Sequence, residues 1–230
     1  MAPRRANVAP VMVASLALAL LVAACAPGPT GGPSGPAWTP SGSGPERASS
    51  TPNTAADAAS TTILAAARLG DATSLAPLES IRFTVAGVAA AAKMLASGVT
   101  GDALWAATYV YASSGSDPAP LRVVASATAA SPSIRAMAAA GLVGRGDAAG
   151  FDVLISAIGG SDLMDGAAPA GAIWEFAGDV LERYTHAGFG PALAATAAQR
   201  ATIQAQWKAW LDASRAKLRF DVASQLWVMA

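Results

Sequence analysis

The sequence predicts an all-α protein, a short solenoid of stacked antiparallel helix hairpins with little or no sheet. Three observations predict it. Residues 131–158 read as two short amphipathic helices joined by a tight turn, weaker copies of that stretch lie on both sides, and alanine is abundant while β-branched alternation is scarce. Alanine has the highest helix propensity, and its small side chain lets helices pack closely, as stacked hairpins require.

The central hairpin carries the clearest signals. Ser131 is a good N-cap, because its hydroxyl accepts from a free backbone N–H of the first turn, and Pro132 follows where no N–H is needed. Ile134, Met137, Ala138, Gly141 and Leu142 recur at helical spacing, and the helix is expected to stop near 144–146, where glycine closes it. Asp147 then caps a second helix with Phe151, Leu154, Ile155 and Ile158 on one face. Helices of about three turns do not hold their shape alone in water, so these must bury their stripes against neighbours.

Those neighbours are visible at an offset of 30 residues, which sets Asp117 on Asp147, Leu121 on Phe151, Val123 on Val153, Val124 on Leu154 and Leu104 on Ile134. Asp117-Pro118 also repeats the cap-then-proline device of Ser131-Pro132. Repeated helix pairs with turns at fixed places mark an α-solenoid.

The run Ile134-Arg135-x-x-Ala138-Ala139-x-x-Leu142-x-x-x-Gly146-Asp147, followed by a second apolar helix, resembles a HEAT repeat. It is closest to the short bacterial type also found in phycobilisome-lyase-like proteins. The likeness is good over 131–158, fair over 101–130, and loose over 57–98 and 168–190. It implies a protein-binding scaffold, with Arg135, Asp117 and Asp147 as structural repeat residues. The lyase activity of some relatives is not implied, because no residue here matches it.

The remaining elements follow in order. Residues 57–69 and 75–96 are expected to form the first helical pair, with Asp57 as an N-cap and Ile81, Val85, Val88, Ala89 and Ala92 marking the second member. The helix over 101–113 presents Leu104, Trp105, Tyr109 and Val110, larger residues suited to core packing. The loop over 159–169 holds Asp162, Leu163, Met164 and Asp165. Its aspartates fit no EF-hand spacing, and the loop is the best local candidate for partner contact. The helix over 172–184 turns Ile173, Phe176, Ala177, Val180, Leu181 and Tyr184 inward. Glu182 and His186 stand four apart, but one histidine and one carboxylate do not make a metal site. A final helix over 202–218 carries Ile203, Trp207, Trp210 and Leu211 on one face. Trp207-x-x-Trp210, with Arg219-Phe220-Asp221 after it, resembles the closing segment of some bacterial HEAT-like lipoproteins, and two large rings suit an end repeat that must cover an apolar edge. Leu226-Trp227-Val228 is expected to pack back on this helix.

The N-terminus reads differently. Arg4 and Arg5, an apolar run over 11–22 and then Ala23-Ala24-Cys25 describe a secretory signal peptide over 1–24. The run is too short to span a membrane comfortably, which takes about 20 residues. Val22-Ala23-Ala24-Cys25 resembles the bacterial lipobox, and the resemblance implies a diacylglyceryl thioether on Cys25 after cleavage before it. An ordinary signal peptide that happens to end near a cysteine is the other reading. Thioether formation needs a thiol, and Cys25 is the one cysteine in the chain. Residues 26–54 contain seven prolines and six glycines, so 25–56 reads as a disordered linker that cannot bury enough apolar surface to order itself. Such a tether averages roughly 30 Å end to end. The helical domain then occupies 57–230.

Charge and composition narrow the function. The leader holds two of the 15 basic residues and none of the 15 acidic ones, leaving a mature net charge of about −2. No basic run is present to track phosphates, which disfavours nucleic acid as a partner. The single histidine, His186, removes most histidine-based acid–base and triad chemistry. The expectation is therefore a non-enzymatic lipoprotein of the cell envelope, extracytoplasmic and membrane-anchored through Cys25, binding unknown envelope proteins and carrying no cofactor, catalytic residue or metal. The alternative is a helical-repeat domain that binds or transforms a small ligand.

Overall fold

The computed structural model describes residues 51–69, 75–165, 171–190 and 193–230. The expected signal peptide, Cys25 and nearly all of the linker lie outside the described residues. Those described fall within one compact unit over 47–230. They form an all-α fold with one small hairpin: α1 Thr51–Leu69, α2 Leu75–Ile81, α3 Val85–Ala96, α4 Gly101–Ser114, α5 Ala119–Ser126, α6 Pro132–Val143, α7 Ala149–Ile158, α8 Ile173–Thr185, α9 Ala197–Ser214, β1 Leu218–Asp221 and β2 Leu226–Met229.

The central hairpin forms as its residues dictate. Ser131 Oγ accepts from the N–H of Ile134 at 3.3 Å, Pro132 opens α6, and a turn through Gly144–Gly146 closes it. Gly146 sits at φ 76°, and a Cβ there would come within 2.8 Å of the Phe220 side chain, so both the backbone and the space require glycine. Gly150 plays a different part: a Cβ would stand 2.4 Å from the Ala139 carbonyl, and its absence lets α7 lie directly on α6.

The 30-residue correspondence is physical. Asp117 Oδ1 accepts from the N–H of Ala119 at 2.9 Å, and Asp147 Oδ1 accepts from the N–H of Ala149 at 3.0 Å. Both aspartates thus sit one residue before the formal cap position and close the same Asx turn. Leu121, Phe151 and Leu154 are fully buried, and Val124 nearly so. Val123 departs from the pattern and is largely exposed.

Packing runs along the chain in steps. α6 lies against α4, α5, α7 and α8, while α1 lies against α3 and α4, and α9 against α7. The core is continuous through these contacts and is filled by alanines with Ile63, Leu78, Val110, Leu142, Leu154, Ile158 and Leu181 at its centre. No single helix among the described residues is long and apolar enough to cross a membrane.

Four expectations need correction. α1 begins at Thr51, inside the stretch read as linker, because the alanine-rich sequence after Pro52 propagates a helix; Asp57 is then mid-helix, with its carboxylate 3.9 Å from Lys93 Nζ. The helix expected over 75–96 is two helices, α2 and α3, bent by 113° at Arg82–Thr84. Thr84 caps α3, its hydroxyl accepting from the N–H of Gly87 at 3.0 Å. The last helix starts earlier and stops earlier than expected. Thr196 and Gln199 form a reciprocal capping box at its start, and it ends at Ser214. The chain after it is an antiparallel hairpin, in which Leu218 pairs with Met229 and Phe220 with Trp227. Trp227 packs on Phe151 and Phe220 at 5.0 and 5.6 Å, so the hairpin returns to α7.

Candidate functional site

The 162–165 stretch, between α7 and α8, is folded back on itself. The N–H of Met164 donates to the Gly171 carbonyl at 2.8 Å and that of Ile173 to the Asp162 carbonyl at 3.1 Å, while Leu163 bridges to Ala172. Asp165 is fastened to the first turn of α6: its N–H donates to the buried Ser133 Oγ at 2.9 Å, and its Oδ2 accepts from Ser131 Oγ at 2.7 Å. Met164 is half-buried against the core. Asp162, Leu163 and Asp165 remain exposed, Leu163 at 54%. Asp162 and Asp165 thus have different surroundings, and among the described residues no group of three or more His, Cys, Asp or Glu gathers to hold a metal ion.

The other residues singled out by sequence lie elsewhere. Asp117 and Asp147 close their turns as described, and Asp147 Oδ2 also accepts from Arg122, joining α5 to the α6–α7 turn. Arg135 Nε donates to the Ala125 carbonyl at 3.1 Å, at the end of α5. Trp207 is fully buried and meets Phe189 and Trp210 edge-on at 5.0 and 5.6 Å, and Trp210 in turn meets Phe151 at 6.2 Å. Gln204 on the same helix donates to the Ile155 carbonyl at 3.0 Å, which fixes α9 over the end of α7. Glu182 accepts from the N–H groups of Gly188 and Gly190 at 3.0 and 3.3 Å, closing the loop after α8, and His186 is exposed.

Two clusters escaped the sequence. The first is the elbow between α2 and α3. Glu79 accepts from the Tyr109 hydroxyl and pairs with Arg82 Nε at 2.7 Å, while the buried Arg82 guanidinium lies 4.5 Å over the Phe83 ring. Trp105 stacks on Tyr109 at 5.7 Å. Burial, and then the hydrogen bond to Glu79, push the Tyr109 phenol well above its ordinary pKa. Beside this polar knot Phe83 and Val85 stand out at 56% and 88% exposure. Sequence reading missed it because Ile81, Val85 and Val88 stay in helical phase across the break; the signals were Thr84 as an internal N-cap and Phe83 off the apolar face.

The second cluster surrounds Arg145. Its Nη2 donates to the carbonyls of Tyr111 and Ala112, both at 3.0 Å, and other nitrogens to those of Gly115 and Gly141. The acceptors are carbonyls at the C-terminal end of α4 and within α6, so Arg145 caps one helix from the end of another. Desolvation pulls its pKa below the usual guanidinium value. This arrangement is structural: every named donor contact is to backbone. No protein-family model, curated protein or solved structure matches the chain.

Proposed function

We propose that the protein is a lipid-anchored scaffold of the cell envelope, in which stacked HEAT-like helix pairs are held on a tether by an acylated Cys25 and bind a partner protein. The observation that carries this reading is where apolar surface is left exposed. Phe83, Val85 and Leu163 stand outward at connections or helix starts, and Leu64 and Val123 are also exposed within α1 and α5. Connections carried on a packed helical frame commonly bear binding function. The side-chain chemistry supports a non-enzymatic role, because Glu182, Arg82 and Arg145 are each committed to internal contacts.

The experiment has two arms. Metabolic labelling with a fatty acid, in wild type and Cys25→Ser, tests the anchor: label on wild type alone supports it, and an unlabelled mature chain that stays in the aqueous phase of a detergent partition overturns it. Crosslinking in intact envelopes, with wild type against Leu163→Ser and Phe83→Ser, tests the scaffold. A defined adduct weakened by either substitution supports it; absence of any adduct above background overturns it.

A further inference from the structure

α2 is the shortest of the described helices. It has seven residues, too few to be helical alone, and buries one of them completely, Leu78, with Leu75 and Ile81 half-buried beside it. α6, by contrast, buries nine. α2 rests on α1 and α4 and turns sharply into α3. Its polar fastening to α4 converges on one group: the Tyr109 hydroxyl donates to Glu79 and accepts from Arg82 Nη1 at 3.5 Å, and the Arg82 guanidinium lies 5.8 Å over the Tyr109 ring.

We propose that α2 is a latched strap, held over α4 by the Glu79–Tyr109–Arg82 contact and able to open while the rest of the domain stays folded. Elements with few buried apolar groups open at a fraction of the global unfolding free energy. Opening adds Leu75, Leu78 and Ile81 to the exposed apolar surface that already includes Phe83 and Val85. The latch therefore controls how much apolar surface this end of the domain displays. The inference stands on this geometry and does not depend on the lipid anchor or on a partner.

Native-state hydrogen exchange of the full chain tests it, in wild type, Glu79→Gln and Tyr109→Phe. The two near-isosteric variants attack the latch from opposite sides. In wild type, amides in 78–84 are expected to exchange at least a hundredfold faster than those in the middle of α6. Each variant should speed 78–84 about tenfold further and leave α6 and α7 unchanged. Protection of 78–84 equal to that of α6, no change in either variant, or an equal rise through α4 and α6 would each overturn the strap.

Discussion

The indole Nε1 of Trp227 donates to the carbonyl of Val143 at 3.0 Å, a buried contact between residues 84 apart in sequence. Val143 is the last residue of α6, so its carbonyl has no partner within the helix. The C-terminal hairpin thus completes a helix formed long before it in the chain. Trp227→Phe keeps an aromatic ring against Phe151 and removes the donor. The Val143 carbonyl keeps the N–H of Gly146 at 3.2 Å, so one net hydrogen bond is lost and urea denaturation should show a loss of about 1 kcal/mol. Unchanged stability would mean the hairpin is an appendage.

Arg145 does the same for α4 from the other side. Arg145→Met keeps much of the apolar stem and leaves the carbonyls of Tyr111, Ala112 and Gly115 without this donor. The Tyr111 carbonyl keeps the N–H of Gly115 at 2.8 Å, so with the carbonyls of Ala112 and Gly115 affected a loss of about 2 kcal/mol is expected. Arg145→Lys should fall between, because an ammonium is a compact point charge that cannot reproduce the planar fork. A lysine variant as stable as wild type would show that charge at the helix end matters and the fork does not.

His186 ends α8 in the left-handed conformation, at φ 51°. That region strains any residue with a Cβ by roughly 1–2 kcal/mol, and glycine occupies it freely. His186→Gly should raise stability by about 0.5–1 kcal/mol, the larger unfolded-state freedom of glycine offsetting part of the gain. Thermal melting of the two chains checks this. A lower melting temperature would mean that the imidazole makes a contribution its exposure does not suggest.

Asp221 ties the hairpin turn. Its carboxylate accepts from the Ser224 hydroxyl at 2.6 Å and from the N–H groups of Ala223 and Ser224 at 3.1 and 3.3 Å. These bonds, the Ser224 hydroxyl first, hold its pKa below the ordinary carboxylate value. A depressed folded pKa makes the contribution complete above the unfolded value and lost as pH falls through the folded one. The amide resonances of Ala223 and Ser224 should therefore titrate with a midpoint below the ordinary aspartate value. Asp221→Asn should abolish that titration. A midpoint at or above the ordinary value would contradict the turn.

The candidate site was partly legible. Asp162 and Leu163 were expected in a loop and stand outward there, but Asp165 is fastened to Ser131 and Ser133. No local pattern announces that fastening, because its partners are more than 30 residues away. The elbow was hidden for another reason: Ile81, Val85 and Val88 keep one helical phase through a 113° bend. Periodicity records which residues are apolar and carries no information on whether the axis that bears them is straight.

The helical class, the Ser131-Pro132 start, the 30-residue correspondence of Asp117 with Asp147, and the burial of Leu121, Phe151, Val124 and Leu154 were legible in the sequence by itself. Each follows from neighbours within a few residues, or from a repeat of such neighbours. The same reading makes Asp147 the cap itself, whereas it is the residue before the cap. Tertiary structure alone decided that Trp227 and Arg145 complete distant helices, that Gly146 and Gly150 make room for Phe220 and the α6 backbone, and that Glu79, Arg82 and Tyr109 meet. Those contacts satisfy polar groups that packing strands away from water, and which groups are stranded is fixed only once the helices have met.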